Sequence, residues 1–220
     1  MFNILLVLEI IGTISFAVSG ALVAIKARFD IFGVLVVGCV TAVGGGITRD
    51  LIIGATPPAI FFKWYIALVA AVASLGVFIV SYIHRKKFDK LRERIEYINN
   101  AFDAVGLAAF TVTGTELAFT VGFSDNVFLC VTLGVLTGVG GGVLRDIFTE
   151  TSPYIFTKHV YAIASIFGAV LYYVMRLFVE NTLIISAVCI AAIIATRLLA
   201  TKYRWSLPKI QLENTKNEGE

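Results

Sequence analysis

Two nearly identical stretches, VGGGITRD at Val43–Asp50 and VGGGVLRD at Val139–Asp146, set the architecture of this chain. They lie 96 residues apart, and the similarity extends away from them along the sequence. With an offset of 94 residues, FAVSG at Phe16–Gly20 aligns with FTVTG at Phe110–Gly114. The chain is therefore predicted to contain two copies of one structural unit.

The composition of the chain excludes most classes of soluble protein. Of its 220 residues, 58% are hydrophobic and 15% are charged, whereas an ordinary soluble domain has about 25% charged residues. The mean hydropathy is +0.89, and a soluble protein of this size cannot be so apolar because much of its surface faces water. A soluble enzyme, a nucleic-acid-binding domain and a disordered chain are therefore excluded. No enzyme or metal-binding motif occurs, so we expect no catalysis, no cofactor, no fixed metal and no nucleic-acid partner.

Apolar stretches long enough to cross a bilayer as helices, about 20 residues each, occur seven times. They are too long and too uniformly apolar to be the alternating strands of a membrane β-barrel. The predicted fold class is an all-α polytopic membrane protein with seven transmembrane helices. The predicted spans are Asn3–Ile25, Ile31–Ala55, Ala59–Ile83, Asn100–Val121, Asn126–Glu150, Thr157–Phe178 and Thr182–Tyr203.

The duplication divides these spans into two sets of three and one additional span. Because three is an odd number, the two copies must cross the membrane in opposite directions. An inverted 3+3 repeat plus one C-terminal helix is typical of transporters and of some channels, whose site lies between the repeats. The predicted segments are repeat 1 (1–83), a basic cytoplasmic linker (84–99), repeat 2 (100–178), span 7 (179–205) and a polar, disordered C-terminal tail (206–220).

The distribution of lysine and arginine predicts the orientation of the chain. Of the 18 basic residues, 15 fall on the side of the linker and the C-terminus and 3 on the side of the N-terminus. Cytoplasmic segments carry the excess of basic residues, which places the N-terminus outside and the C-terminus in the cytoplasm of a multi-pass protein of the cell inner membrane. The basic segment that follows Ile83 is mainly this topology signal. Binding of membrane lipids through anionic headgroups is a further interpretation of it.

Each copy carries three consecutive glycines in the middle of a span, and two interpretations of them are open. Glycine costs about 1 kcal/mol relative to alanine in a helix. The triplets therefore favour broken or kinked helices whose freed carbonyls line a polar path. The alternative is close packing of helices through small residues. The pore interpretation is preferred because both copies keep the triplet before Arg-Asp. The glycines are Gly44, Gly45, Gly46, Gly140, Gly141 and Gly142.

Charged residues inside the apolar spans are the strongest candidates for function, because each costs about 2.5–3.5 kcal/mol at the centre of a membrane helix. Adjacent residues on a helix point about 100° apart, so the two members of each Arg-Asp doublet are not expected to pair. Equal depth, about 9 Å at 1.5 Å per residue, predicts the pairs Glu9–Arg49 and Asp103–Arg145 instead. These pairs are either structural salt bridges or charged constrictions that control ion access and gating. The candidates are Glu9, Arg49, Asp50, Asp103, Arg145 and Asp146.

Hydroxyl side chains near the glycines are weaker candidates. Thr41, Thr48 and Thr137 are placed to line a wet path beside the triplets. Such hydroxyls more often bond back to a carbonyl of their own helix. Both interpretations remain open at this stage.

A GGGxxRD motif that occurs twice in a chain of three plus three plus one spans resembles the prokaryotic trimeric intracellular cation (TRIC) channel family. The resemblance covers roughly residues 3–205 and depends on the two glycine triplets and the two Arg-Asp doublets. It implies a homotrimer with one pore in each subunit, lined by the glycine-kinked spans 2 and 5. It also implies permeation by monovalent cations, K⁺ and also Na⁺, which bind only transiently.

Two other functions stay open beside the channel. Bacterial sequences with this domain are also labelled glycine transporters, so the main alternative is a secondary transporter for glycine or another small amino acid. Such a carrier would use the same helices to hold a carboxylate and an amine. A membrane scaffold without transport is the third class.

Overall fold

The computed structural model of the protein describes residues 4–85, 92–157, 160–203 and 205. In these ranges the secondary structure is helical, and seven helices are long and apolar enough to cross a membrane. The predicted fold class is therefore confirmed. The spanning helices are α1 (Ile4–Lys26), α2 (Ile31–Ile52), α3 (Trp64–Ile83), α4 (Arg92–Thr120), α5 (Val127–Phe148), α6 (Tyr161–Phe178) and α7 (Thr182–Lys202).

The boundaries differ from the predicted spans mainly at the start of α4. This helix begins at Arg92, eight residues before the predicted Asn100. The added residues, RERIEYIN, contain neither glycine nor proline, so the helix continues beyond its apolar part. Part of the predicted linker 84–99 is therefore helical. Residues 86–91 of that linker and the predicted tail 206–220 lie outside the described residues.

Equivalent residues begin the second helix of each repeat. Asp30 accepts a hydrogen bond from the backbone N–H of Gly33 at 2.8 Å, and Asn126 accepts one from Leu129 at 3.0 Å. Both side chains satisfy an N–H group that the first turn of a helix leaves without a partner. Short polar caps thus start α2 and α5 at positions 96 residues apart.

Contacts across the centre of the molecule are reciprocal, as an inverted repeat requires. α1 packs on α4, and α2 packs on α5. Phe16 of α1 and its equivalent Phe110 of α4 meet with ring centroids 5.3 Å apart. Gly12 makes room for the Phe110 ring, and Gly106 makes room for the Phe16 ring. The predicted inverted 3+3 repeat is confirmed, with these crossings at its pseudo-two-fold axis.

The seventh helix breaks this symmetry. α7 packs on α4 and α6, both of which belong to repeat 2. Its side chains Ile185, Cys189 and Ile193 are fully buried in the main hydrophobic core. Repeat 2 therefore has a packing partner, α7, that lies outside the two repeats.

Candidate functional site

Four charged side chains form a group at one end of the molecule, the Glu9 cluster: Glu9, Arg49, Asp50 and Lys63. Arg49 Nη2 lies 2.7 Å from Asp50 Oδ1, and Lys63 Nζ lies 2.8 Å from Glu9 Oε2. The side chains of Lys63 and Glu9 are 40% and 28% exposed. The predicted Glu9–Arg49 pair is therefore wrong. The carboxylate of Glu9 pairs instead with Lys63, which lies in the segment before α3.

Four others form the Asp103 cluster near the opposite end: Asp103, Arg145, Asp146 and Arg197. The predicted Asp103–Arg145 pair is present, with Arg145 Nη1 2.7 Å from Asp103 Oδ1. Arg145 Nε also donates to Asp146 at 2.8 Å, and Arg197 Nη2 lies 3.5 Å from Asp103 Oδ2. All four side chains are at most 2% exposed. Two carboxylates and two guanidinium groups thus balance one another inside the protein.

Both Arg-Asp doublets pair internally, contrary to the expectation from helix geometry. The arginine stem is long enough to turn its guanidinium group back to the neighbouring carboxylate. The second oxygen of each aspartate binds the segment after its helix. Asp50 Oδ2 accepts from the N–H of Ala59 at 2.9 Å, and Asp146 Oδ2 accepts from that of Tyr154 at 2.8 Å. Each aspartate therefore orients its arginine and also holds the loop that leads to the next span.

Arg145 connects the two repeats. Its Nη1 donates to Ser19 Oγ of α1 at 2.7 Å, and Ser19 Oγ donates to Asn99 Oδ1 at 2.8 Å. The guanidinium group also lies over the ring of Tyr154, 4.7 Å from its centroid. Among the described residues, Arg49 makes no such bond to the other repeat and donates to Asp50 alone. The Asp103 cluster is therefore a cross-link between α1, α4, α5 and α7.

The glycine triplets lie within unbroken helices. α2 and α5 are each continuous over 22 residues, so the expectation of a break is wrong, whereas the predicted kink stays a prediction. A Cβ on Gly45 would overlap the carbonyl oxygen of Thr137, and one on Gly141 would overlap that of Thr41. Gly140 is also close to the partner helix, because its Cβ would lie 3.1 Å from the Gly45 Cα. At these positions the glycines allow α2 and α5 to cross in backbone contact, as small residues do in membrane proteins.

The candidate threonines bond to their own helices. Thr41 donates to the Val37 carbonyl at 2.6 Å, and Thr137 donates to the Leu133 carbonyl at 2.6 Å. Thr48 donates in the same way to Gly44 at 2.9 Å. Of the three, Thr137 borders a cavity.

Two cavities approach the centre from opposite ends. The Glu9 cavity, about 300 Å³, is lined by all four residues of the Glu9 cluster and extends inward to Thr13, Phe110 and Thr137. The Tyr154 cavity, about 750 Å³, is lined at its other end by Lys26, Glu96, Asn99 and Tyr154 among others. Burial raises the pKa of the Tyr154 phenol above its ordinary value, so this side chain is neutral at physiological pH. Among the described residues, none lines both cavities, and the Asp103 cluster lines neither.

A closed segment separates the cavities. Along α1 it runs between Thr13 and Leu22 and along α5 between Thr137 and Thr149, which is about 13–18 Å at 1.5 Å per residue. It contains the ring of Phe16 and the guanidinium group of Arg145, both fully buried. The site therefore consists of two cavities and one buried, charged segment between them.

Sequence reasoning missed two members of these clusters, Lys63 and Arg197. Lys63 lies near the start of the predicted span Ala59–Ile83, and its contact with Glu9 depends on how the segment before α3 folds over α1. Arg197 had a recognisable signal, because it lies in an apolar span and an intramembrane arginine marks a functional site by default. In the described part of the chain there is no group of three or more metal-ligating side chains.

The architecture is that of a membrane protein with seven spanning helices, an inverted repeat and a buried charged cluster between two cavities. A family model described as "Glycine transporter" matches the chain twice, over residues 6–82 and 100–177. These two matches coincide with the two repeats. The chain therefore belongs to this family.

Relatives and solved structures agree with this assignment. The UPF0126 inner membrane protein YadS of Escherichia coli K12 is 36% identical over 210 residues, which are 94% of this chain and 96% of YadS. A TRIC trimeric intracellular cation channel orthologue from Rhodobacter sphaeroides is 29% identical with a TM-score of 0.82, over 92% of this chain and 100% of that chain. A structure that describes conductance through TRIC cation channels is 33% identical with a TM-score of 0.79, over 97% and 98% of the two chains. The predicted membership of the TRIC family is confirmed.

Proposed function

We propose that this protein is a passive channel for monovalent cations, K⁺ and also Na⁺, with one conduction path in each subunit. The observation that carries the proposal is the pair of cavities that reach toward each other between the repeats from opposite ends. Similarity to structures of TRIC cation channels supports the same function. The path runs from the Glu9 cavity along the α2–α5 crossing to the Tyr154 cavity.

The lining of the Glu9 cavity is compatible with passage of cations. Its two carboxylates and two cationic groups balance, so it has no excess positive charge that would repel a cation. Thr13 contributes a buried hydroxyl oxygen that has no hydrogen-bond partner within the described structure. Oxygen atoms of this kind replace part of the water around a permeating cation.

The described conformation corresponds to a closed channel in this proposal. Water and ions would have to cross the barrier that contains Phe16 and Arg145. Hydrogen bonds to charged groups contribute about 1.5–3 kcal/mol each, so the bonds from Arg145 to Ser19 and Asp103 hold the barrier shut. Opening requires that the cross-link between the repeats rearranges.

Recording of purified protein in planar lipid bilayers tests this function. We expect unitary currents that reverse at the cation equilibrium potential in a KCl gradient and that persist when Na⁺ replaces K⁺.

Ser19→Ala removes one bond of the cross-link and is expected to raise the open probability. Ser74→Ala is the matched control, because Ser74 is buried and bonds within α3 to Ala70. Absence of unitary currents from correctly assembled protein would overturn the proposal.

A secondary transporter for glycine or another small amino acid is the second candidate. The Glu9 cavity offers an ammonium group and carboxylates within about 300 Å³, the complement of a small zwitterion. The description of the matching family favours it as well. Saturable uptake of glycine into proteoliposomes, without unitary currents, would support the carrier and contradict the channel.

We further propose a homotrimer in the cell inner membrane, with the Glu9 cavity outside and the Tyr154 cavity in the cytoplasm. The names of the relatives support the membrane and the trimer, and the excess of basic residues supports the orientation. Membrane lipids would cover outward-facing side chains such as Phe128, which is 82% exposed. Cross-linking in native membranes tests the trimer, and protease access to tags at each terminus tests the orientation.

A further inference from the structure

The helix outside the repeat places a buried arginine inside the protein. Arg197 of α7 is 2% exposed, although it lies in an apolar membrane span. An arginine there is costly and is retained only where it meets a partner or water. The contacts of Arg197 therefore indicate what α7 contributes.

Arg197 reaches from α7 to the first helix of repeat 2. Its Nη2 donates to Asn100 Oδ1 at 3.0 Å and lies 3.5 Å from Asp103 Oδ2. The guanidinium group also stacks over Tyr161, 4.6 Å from the ring centroid. Arg145 binds the other oxygen of Asp103. Asp103 is thus held between one arginine of its own repeat and one from outside it.

The equivalent carboxylate of repeat 1 has a different partner. Glu9 pairs with Lys63 at 2.8 Å, and this lysine belongs to repeat 1 itself. With the offset of 96, the position of Lys63 in repeat 2 is occupied in the sequence by His159, which lies outside the described residues. Among the described residues, the second cation at Asp103, beside Arg145, comes from α7.

We infer that Arg197 is a positioning residue of the closed barrier, and that α7 supplies through it the counter-charge that keeps cations and water out of the Asp103 cluster. Without Arg197, the two carboxylates would face only Arg145 among the described residues, which leaves one buried negative charge in this part of the structure. An uncompensated buried charge draws in water or a counter-ion, because its desolvation is not offset. The inference thus deepens the proposed channel function, on which it rests.

The test compares three arginine variants in planar bilayers. Arg197→Gln is expected to raise the open probability about tenfold, which corresponds to about 1.4 kcal/mol. Arg197→Lys keeps the charge but loses the planar stacking on Tyr161, so it is expected to raise the open probability less than Arg197→Gln does. Arg176→Gln is the matched control, since Arg176 also lies near a buried carboxylate, Glu116 at 3.4 Å, and over an aromatic ring, but far from the barrier. It should leave the open probability unchanged.

A charge-balanced double variant separates the counter-charge from a merely structural contact. In Asp103→Asn combined with Arg197→Gln, Asp146 and Arg145 again balance, so most of the increase in open probability should be lost. If Arg197→Gln does not assemble, recovery of assembly in this double variant supports the inference, and failure of both contradicts it.

Three results overturn the inference. They are an unchanged open probability in assembled Arg197→Gln, an equal rise in Arg176→Gln, and no reversal in the double variant. Absence of currents from the wild-type protein would instead refute the proposed channel function, so the two failures are distinguishable.

Discussion

The Glu9 cluster and the Asp103 cluster are built from equivalent parts of the two repeats but have opposite properties. Each contains a carboxylate of the first helix and an Arg-Asp doublet at the end of the second. The Glu9 cluster lines a cavity and leaves Lys63 40% exposed, whereas Arg145 and Asp103 are fully buried. The same motif therefore borders a cavity in one half and is enclosed by the protein in the other. The difference arises from the additional partners Ser19 and Arg197.

The largest expected difference between the clusters concerns the two motif arginines. Arg145→Met should lower the free energy of unfolding by about 3–5 kcal/mol, because it leaves buried carboxylates without a partner. Arg49→Met should cost less, about 2 kcal/mol, because Asp50, although only 5% exposed, borders the Glu9 cavity and keeps its hydrogen bond from the N–H of Ala59. Denaturant titration in detergent, followed by circular dichroism, measures both. Equal losses would mean that burial does not distinguish the clusters.

The third glycine of each triplet should also distinguish the halves. A Cβ on Gly142 would lie 2.6 Å from the Tyr161 hydroxyl, whereas one on Gly46 would meet no atom closer than 3.8 Å. Gly142→Ala is therefore expected to cost about 1–3 kcal/mol by overpacking, and Gly46→Ala to stabilise by up to about 1 kcal/mol through helix propensity. Thermal unfolding of both variants checks this. A stabilising Gly142→Ala would contradict the packing around Tyr161.

Salt dependence should reveal which cluster is in contact with water. Glu9→Gln removes an exposed negative charge at the entrance and is expected to reduce K⁺ conductance severalfold in 0.1 M KCl. The reduction should fade in 1 M KCl, because the Debye length falls from about 10 Å to about 3 Å. Single-channel conductance measured at both concentrations gives the answer. An equal reduction of conductance at both KCl concentrations would mean that Glu9 is shielded from the salt solution, as the buried Asp103 is.

The smallest effects are expected where the two halves are alike. Thr41 and Thr137 each bond to a carbonyl of their own helix at 2.6 Å. Thr41→Val and Thr137→Val should therefore change the free energy of unfolding by less than about 1 kcal/mol, and by similar amounts. Unfolding titrations of the two variants test this equality. If only one of the two substitutions impairs stability or conductance, the two threonines are not equivalent, although their hydrogen bonds have the same length.

Much of the fold was predictable from the sequence, since membrane helices need long apolar stretches and an odd repeat forces inversion. The charged residues of the site were also recognisable, because arginine and aspartate are rare in such stretches. Their pairing was not fully predictable. Equal depth in the membrane correctly predicted the pair Asp103–Arg145 but failed for Glu9. The partner of Glu9 is Lys63, which lies in the segment before α3, and the path of such a segment cannot be predicted from hydropathy or periodicity.

The role of the glycines was open in the sequence for a related reason. A triplet weakens an isolated helix, which favours a break, but it also allows two backbones to touch. In the folded protein, Gly45 and Gly141 lie against the carbonyls of Thr137 and Thr41, and the helices stay continuous. Local propensity could not decide between these outcomes, because the partner helix is 96 residues away in the chain.

Hydropathy, spacing and internal similarity are properties of the chain, and they were enough to predict the class of protein, the seven spans, the inverted repeat and the charged residues inside the membrane. The packing of the helices made the difference between a cluster that borders a cavity and one that is fully enclosed. Burial and counter-charge depend on which helices pack together, and the docking of α7 on repeat 2 places Arg197 beside Asp103.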